Sequence, residues 1–522
     1  MNNAARLQVI RHALDGIAEL MGVALQRSAY SPNITERLDL SAALFGPDGQ
    51  MVAQAEHIPV HLGSMPASVA AVLDRFDLRP GMQAMVNDPY QGGSHLPDMT
   101  LVGAVGDAGG RLIGYVANRA HHADVAGAAP GSMPADATDI AMEGLRVPPT
   151  LLVDAHGERN DVIDLLAANS RTPAERHGDL RAQFAANHAG AHRLKEVAAA
   201  SGTDRLHDQM NELVDYAERR MRAAIRQMPV GTWSASDILE IEGGLELTVD
   251  VIVPGDGTIT VDLRDCPPHV AANVNAVRAV TESVSLFVLR MLADPTVPAN
   301  AGAARPLNLK TTPGTIVDAT FPAPVATGNV ETSQRLVDLL LRAMAPALPH
   351  LVPAASQGTM NNILIGSRGT GIPFAYYETV GGGEGATPNR NGMHGVHTAM
   401  TNTRNTPVEA LETAYPLRVV QSRLLPGSGG AGRFAGGDGV IRELEVLSEA
   451  TVTLQTERRD TAPWGLRGGM DGRRGRNTLI RADGQMRQLP AKCTFAVQAG
   501  DRIRLETPGG GGWGHIDERA HD

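Results

Sequence analysis

"MTLVGAVGDAGGRLIGYVANRA", Met99–Ala120, consists of two extended apolar runs on either side of a glycine-rich turn. This pattern predicts a β-hairpin, because β-branched and aromatic residues favour strands and an Asp-Ala-Gly-Gly sequence favours a turn. With the turn centred on Asp107–Gly109, antiparallel pairing places the start of the first strand beside the end of the second. The residues just before Thr100 are therefore expected beside those just after Ala120.

This alignment gathers acids and imidazoles at the open end of the hairpin. The preceding loop, "NDPYQGGSHLPDMT", contributes His95 and Asp98, and the following "HHAD" contributes His121, His122 and Asp124. Imidazole and carboxylate ligands together suit a divalent metal such as zinc, manganese or iron. On the pattern alone, a shared metal ion and a solvated turn are both open interpretations.

A second hairpin is predicted upstream, where "LDLSAALF" and "QMVAQAE" flank the turn "GPDG". It places Asp39, at the start of one strand, opposite Glu56 and His57, at the end of the other. His57 and His61 are four residues apart, but Pro59 between them interrupts the helix that a zinc-binding histidine pair requires. These two histidines are therefore interpreted as supporting or structural residues.

The composition describes an ordinary globular protein and excludes several classes of function. The chain has 522 residues, of which 43% are hydrophobic and 20% are charged. Its net charge of −11 argues against nucleic acid as the main partner. No apolar run approaches the length of a membrane span, and the first residues lack a signal-peptide core. Only two cysteines are present, Cys266 and Cys493, so a reducing cytoplasm is the expected location.

The order of the predicted elements indicates a mixed α/β fold of the α+β type. Helices are expected over Leu7–Leu25, after a cap at Ser64, and as a long pair rich in alanine and arginine. Four regions follow: a hairpin-rich metal-site region, a helical pair, a central α/β region and a C-terminal β-rich region. Their expected bounds are 1–170, 171–230, 231–430 and 431–522, either as separate parts or as one interleaved body.

The chain offers little sign of nucleotide binding, because the Gly-x-Gly-x-x-Gly match at Gly427, Gly429 and Gly432 is not followed by a helix pattern and is better interpreted as a cluster of turns. The dipeptide Gly-Lys does not occur, so there is no phosphate-binding loop of the Walker type. Glycine runs such as "TVGGGEGATPNRNG" and "TPGGGGWG" offer backbone N–H groups to an anion. Without a neighbouring lysine and helix start, they are better interpreted as tight turns near a site.

Segments along nearly the whole chain resemble the hydantoinase B/oxoprolinase family. They include "SPNITERLDLSAALFGPDGQMVAQAEHIPVHLGSM", "NDPYQGGSHLPDMT", "ANRAHHADVAG", "FPAPVATGNVETSQR", "GVHTAMTNTRNTPVEALE" and the terminal "TPGGGGWG". In relatives, a metal is held by two aspartates and two histidines of the B-type subunit. Carried over to this sequence, the resemblance implies four metal ligands, namely Asp39, His95, Asp98 and His121. His122 is the alternative to His121.

The resemblance also implies an activity, namely hydrolysis of a hydantoin, 5-oxoproline or lactam. An A-type subunit would bind ATP and magnesium and phosphorylate the amide oxygen, in a hetero-oligomer such as A2B2. The metal in this chain would activate a water, and His122 or Asp124 would accept its proton. The alternatives are an ATP-dependent ketone carboxylase of the acetone or acetophenone type, and a scaffold without catalytic function that stabilises the A-type subunit.

Polar residues in other family-like segments are candidates for binding the substrate. Asn329 and Glu331 lie in "GNVETS", and Arg404 lies in "TNTRNTP". Arg404 would suit a carboxylate or phosphate group. Backbone capping in long loops is an equally good interpretation of all three. Asp88, beside a proline, is interpreted as a turn former rather than a ligand.

Overall fold

The structure is a computed structural model that describes residues 3–55, 58–368 and 373–517. Helices and several sheets are mixed along the chain, which confirms the predicted α/β class. Among the described residues, no helix combines the length and apolar character that a membrane span requires. The helices are α1 (Asn3–Ser28), α2 (Pro32–Thr35), α3 (His61–Arg75), α4 (Asn160–Ala168), α5 (Pro173–Ser201), α6 (Thr203–Ile225), α7 (Arg278–Ala293), α8 (Ala301–Ala304), α9 (Ser333–Met344) and α10 (Val408–Ala414).

The strands form four sheets, with the orders β2-β1-β5-β4-β3-β6-β7, β11-β10-β9-β8, β13-β12-β16-β19 and β14-β15-β20-β17-β18. The third sheet joins strands from both sides of the predicted boundary near residue 430. The strands are β1 (Leu40–Phe45), β2 (Met51–Ala55), β3 (Gln83–Val86), β4 (Asp98–Gly106), β5 (Leu112–His121), β6 (Thr150–Asp154), β7 (Gly157–Glu158), β8 (Gly231–Leu239), β9 (Leu245–Val253), β10 (Ile259–Asp262), β11 (Leu307–Lys310), β12 (Asn362–Ser367), β13 (Ala375–Glu378), β14 (Leu417–Leu424), β15 (Val440–Val446), β16 (Ala450–Gln455), β17 (Arg476–Ile480), β18 (Met486–Leu489), β19 (Lys492–Val497) and β20 (Arg502–Glu506).

Both predicted hairpins are confirmed, and they share the first sheet. β4 pairs antiparallel with β5, and the register sets Asp98 directly opposite His121. β1 pairs with the other edge of β5, and Leu40 lies opposite Ala120. The backbone N–H of His121 donates to the carbonyl of Asp39 at 3.0 Å. The ends of three strands therefore meet at one edge of the sheet.

Both faces of the first sheet are covered by helices, because its strands are apolar on both sides. On β1, Ala42 and Leu44 pack in the cluster that contains the apolar stripe of α1. Ala43 and Phe45 point the other way and pack with the apolar side chains of α3. This alternation follows from the two-residue period of a strand and fixes the strand ends between two rigid layers.

The helix expected to follow a cap at Ser64 begins three residues earlier, at His61. Ser64 lies inside α3, and its hydroxyl donates to the carbonyl of Val60 at 3.1 Å instead of capping a terminus. A turn closes ahead of the helix, where the N–H of His61 donates to the carbonyl of Ile58. The earlier start fixes the His61 side chain on a helix rather than a mobile loop.

Three glycine-rich segments, residues 381–386, 428–439 and 507–513, pack backbone to backbone rather than forming the expected tight turns. Their N–H groups donate across the segments, as from Gly510 to Gly437 and from Gly383 to Pro508, both at 2.9 Å. A Cβ placed on Gly510 would lie 2.0 Å from the carbonyl oxygen of Glu384. Glycine is needed there for space, so these amides are used within the fold and are not free to hold an anion. We call this region the glycine layer.

A group of buried ion pairs ties α9 to the ends of β8 and β16. Arg335 donates to Glu457 at 2.6 Å and to Asp237 at 3.4 Å. Arg458 pairs with Asp338 on the same helix as Arg335. Removing one partner of a buried pair leaves an uncompensated charge, so this group makes the two sheets depend on α9.

Candidate metal centre

Two strand ends and the loop before them bring three side chains into contact. Asp98 is the first residue of β4, and His121 is the last residue of β5. The Nδ1 atom of His121 lies 3.2 Å from Asp98 Oδ1 and 3.1 Å from His95 Nε2. His95 Nε2 in turn lies 3.4 Å from the same Asp98 oxygen. All three side chains are buried, so this is not a solvated turn.

The spacing of these atoms fits the ligands of one cation. A tetrahedral ion with bonds of about 2.1 Å separates its ligand atoms by about 3.4 Å. The three side chains offer two nitrogens and one oxygen at 3.1–3.4 Å from one another. Asp39 adds a carboxylate whose Oδ2 lies 4.0 Å from His121 Nδ1 in the same pocket. Imidazole and carboxylate donors without a thiolate suit zinc, manganese or iron.

The charge states expected in this pocket favour a cation. Burial lowers the pKa of His95 to about 3, so its imidazole is neutral and offers a lone pair at neutral pH. Burial by itself raises the pKa of Asp98, but the imidazoles of His95, His121 and His61 outweigh it and hold that pKa well below the usual value. A buried carboxylate beside the neutral imidazole of His95 is the pattern that a metal ion completes.

The second oxygen of Asp98 is held by supporting residues. Ser94 donates its hydroxyl to Asp98 Oδ2 at 2.6 Å, and His61 Nε2 lies 3.4 Å from that oxygen. His61 Nδ1 is itself 2.8 Å from the hydroxyl of Ser41 on β1. His61 lines the pocket in this supporting position. Oδ1 of Asp98 is thereby directed toward His95 and His121.

An aromatic ring from a different sheet closes the pocket behind His121. Tyr377 on β13 stacks on the His121 imidazole, with ring centroids 4.7 Å apart and 21° between planes. Its hydroxyl donates to Asn362 at 2.8 Å, and Asn362 donates to Glu331 at 2.8 Å. The Arg37 guanidinium lies 4.4 Å from the Tyr377 ring centre. The stacking of Tyr377 on His121 joins the first sheet to the third.

His122 and Asp124 lie outside the residues that line the pocket. His122 Nε2 is 3.0 Å from the side-chain oxygen of Gln183 on α5. Asp124 pairs with Arg171 at 2.9 Å and accepts N–H groups of its own loop. Of the two adjacent histidines, it is His121 that meets His95 and Asp98. The proton-accepting role of His122 or Asp124 stays a prediction.

The candidate substrate residues have three different surroundings. Asn329 lines the pocket, and its side-chain oxygen has no hydrogen-bond partner. Glu331 is fully buried behind the pocket, where it accepts from the N–H of Met360 at 3.0 Å. Burial raises the pKa of Glu331 to about 8, so this carboxyl is largely protonated at neutral pH. Arg404 is exposed and is not among the residues lining the pocket.

The pocket is small. Its volume is about 20 Å³, enough for an ion or a water but not for a ring substrate. Its wall includes Met360, Tyr377, Thr379, Thr401 and Thr403, which sequence analysis did not single out. Nothing in the spacing of these residues signals a site, because they come from segments that only the third dimension brings together.

Of two further predictions, one is resolved by position and the other is not tested. Asp88 accepts from the N–H of Tyr90 at 3.0 Å and caps a short turn, which confirms it as a turn former. Glu56 and His57, expected opposite Asp39, lie outside the described residues.

The sequence profile of the hydantoinase B/oxoprolinase family matches residues 3–516. An uncharacterized protein of Methanocaldococcus jannaschii is 40% identical over 518 residues, covering 98% of this chain and 91% of that protein. A 5-oxoprolinase of Dictyostelium discoideum is 36% identical over 525 residues, or 99% of this chain. The chain spans only 41% of that 5-oxoprolinase. The B-type subunit of a putative D-/L-hydantoinase from Pseudomonas sp. is 32% identical and is covered over 90% of its length.

Two solved structures have the same fold. The ATP-dependent caprolactamase from Pseudomonas jessenii superposes with a TM-score of 0.91 and 30% identity, over 98% of this chain and 91% of that one. A nucleotide-free acetone carboxylase superposes with a TM-score of 0.92 over 99% of this chain and 76% of that one, at 17% identity, which shows the fold alone. The profile match over nearly the whole chain shows that this chain belongs to the hydantoinase B/oxoprolinase family.

Proposed function

We propose that this chain hydrolyses a cyclic amide, such as a hydantoin, 5-oxoproline or a lactam, using a divalent metal. The observation that carries the proposal is the buried convergence of His95, Asp98 and His121, whose ligand atoms lie 3.1–3.4 Å apart. Asp39 is proposed as the fourth ligand. Family membership and the likeness to 5-oxoprolinase and caprolactamase support the substrate class.

A divalent ion supplies what this reaction needs, because it polarises a carbonyl and lowers the pKa of a water molecule. The residues of the chain would hold and orient the groups involved. Ser94 and His61 fix one oxygen of Asp98, which leaves the other for the ion. The unpartnered side-chain oxygen of Asn329 would accept the ring N–H once the pocket has widened to admit the ring. Asp124, through its pair with Arg171, would keep the neighbouring loop in place.

Amide resonance makes the ring carbonyl a poor electrophile, so a second source of activation is proposed. An A-type partner would bind ATP and magnesium and phosphorylate the amide oxygen. The names of the Pseudomonas relative, a B-type hydantoinase subunit, and of the ATP-dependent caprolactamase support such a partner. The missing phosphate-binding loop agrees with nucleotide binding outside this chain. A hetero-oligomer such as A2B2 in the cytoplasm is the assembly we propose.

The test uses the chain purified together with its A-type partner. Ring opening is measured with and without ATP on hydantoin, 5-oxoproline and caprolactam, and bound metal is measured by elemental analysis. Asp98→Asn is expected to lose the metal and to slow ring opening by more than about a hundredfold, since even supporting residues around a metal contribute up to that factor. Asp88→Asn, in the same loop but outside the pocket, is the matched control. Full metal content and rate in Asp98→Asn would refute the proposal.

Two alternatives predict different outcomes of the same preparation. A ketone carboxylase would incorporate isotopically labelled bicarbonate, and that alternative rests on the shared fold alone. A scaffold without catalytic function would keep full activity in Asp98→Ala while the complex still assembles.

A further inference from the structure

A second cavity lies beside the metal pocket and is far larger. Its volume is about 390 Å³, within the range of about 300–1,000 Å³ that small-molecule sites occupy. Apolar side chains from α7 and α9 form one wall, namely Phe287, Met291, Val337 and Leu341. The bidentate ion pair of Arg390 and Glu384 lines the cavity on the other side, where Arg390 is half-exposed.

Three polar side chains in this cavity have atoms without hydrogen-bond partners. Gln334 is buried, and its side-chain nitrogen donates to the carbonyl of Thr398 at 3.0 Å, but its oxygen has no partner. The hydroxyl of Thr398 and both ring nitrogens of His397 are also buried without partners. Burial, and then the nearby Arg37, lower the pKa of His397 to about 3, so its ring is neutral, with one donor and one acceptor.

Unpaired polar atoms of this kind cost free energy unless a ligand or water pairs with them. The unpartnered Gln334 oxygen can only accept a hydrogen bond, whereas neutral His397 can also donate one. A small ring with one N–H and one C=O meets both requirements while its methylene groups face the apolar wall. A charged ligand is disfavoured, because the charged groups that line the cavity are already paired: Arg390 with Glu384, and Asp338 with Arg458.

The cavity and the metal pocket share two walls. Thr398 and Ala399 line the cavity, and Thr401, two residues further along the same segment, lines the metal pocket. Asn329 lines the pocket and Gln334, about one turn later, lines the cavity. Ala399 has a φ of +56°, a left-handed conformation that costs a non-glycine residue free energy. The partition is therefore thin and contains a strained residue.

We propose that the second cavity binds the cyclic amide through Gln334 and His397, next to the metal pocket that is too small to hold the ring. This inference rests on the proposed function for the identity of the ligand class. It adds a binding site, and the partition at residues 398–401 would have to shift for the ring to reach the metal.

The test measures binding of caprolactam and pyrrolidone to the full chain by calorimetric titration and saturation-transfer NMR. Gln334→Leu removes the acceptor and is expected to weaken binding about tenfold. Leu341→Phe fills the cavity and is expected to abolish binding. If Gln334→Leu does not fold, binding is measured instead with Thr398→Val, which keeps the shape of the cavity wall. N-methylpyrrolidone, which lacks the N–H, and cyclohexanone are matched ligands expected to bind at least about tenfold more weakly.

Asp98→Asn separates this inference from the proposed function. We expect it to lose the metal and keep the affinity for caprolactam. Loss of caprolactam binding in Asp98→Asn with unchanged binding in Leu341→Phe would overturn the inference and leave the proposed function standing. A different result would support the inference and overturn the proposed function. In it, the wild-type chain binds caprolactam but never binds metal, and Gln334→Leu weakens the caprolactam binding.

Discussion

Ser94→Ala isolates the contribution of one hydrogen bond to the candidate metal centre. The Ser94 hydroxyl donates to Asp98 Oδ2 at 2.6 Å, and both side chains are 1% exposed. The serine is not a proposed ligand, so its loss leaves the donor atoms intact. What changes is the orientation of the Asp98 carboxylate, which then keeps only His61, at 3.4 Å, on that oxygen.

The expected size of the effect follows from the charge on the acceptor. A hydrogen bond to a charged group contributes about 1.5–3 kcal/mol. If that free energy serves to hold the carboxylate in its binding orientation, metal affinity falls by a factor of about ten to a hundred. The same range is typical of supporting residues around metal ions.

The assay is competition for zinc or manganese against a fluorescent chelator, with purified wild-type and variant chains. Ser428→Ala is the control, because this buried serine also loses hydrogen bonds but does not line the metal pocket, and the backbone hydrogen bonds that join the glycine layer do not involve its hydroxyl. It is expected to lower the free energy of unfolding without changing metal affinity. Metal affinity of Ser94→Ala within about twofold of the wild type would refute the positioning role.

Three further predictions concern the stability of the chain. Gly510→Ala is expected to lower the free energy of unfolding in urea by about 1–3 kcal/mol or more, because its Cβ would lie 2.0 Å from a backbone oxygen. Gly16→Ala, in open space on α1, should raise the free energy of unfolding by about 0.5–1 kcal/mol. The buried ring of His397 has a pKa of about 3 in the folded chain, below its value in the unfolded chain. The free energy of unfolding is therefore expected to fall as the pH drops below about 6.5, by about 2 kcal/mol at pH 5. His397→Gln should remove that loss. Arg335→Met should cost about 3 kcal/mol, because it removes a buried charge that pairs with both Glu457 and Asp237, although Lys492 still pairs with Glu457. A cost below about 1 kcal/mol would contradict this.

The elements that sequence analysis predicted well are those with a strong local period. The hairpin from Asp98 to His121 follows from alternating apolar runs and a glycine turn, and its register sets Asp98 opposite His121. Sequence analysis preferred His121 to His122 for its spacing from Asp98, but the pattern did not decide between them. The choice depends on which side chain faces the sheet edge, and only the paired strand ends reveal that His122 turns toward α5.

The contacts that sequence analysis missed are those between distant segments. Tyr377 follows no motif, yet it stacks on His121 from another sheet. Ser64 carries the ordinary signature of a cap, but the turn at Ile58 nucleates the helix earlier. The glycine runs were interpreted as turns because glycine is common in turns. Glycine also lets two backbones approach closely, and the sequence does not distinguish these two uses.

The glycine layer makes the metal pocket depend on residues that lie far downstream of it in the sequence. Gly383 donates to the carbonyl of Pro508, and Gly381 accepts from the Thr507 hydroxyl. These glycines follow directly on Tyr377 and Thr379, which line the pocket. On the ribosome, the pocket wall would thus be held in place only after residue 512 has emerged. Metal uptake would then report that the chain has been made as far as the glycine layer, although no residue beyond 403 lines the described pocket.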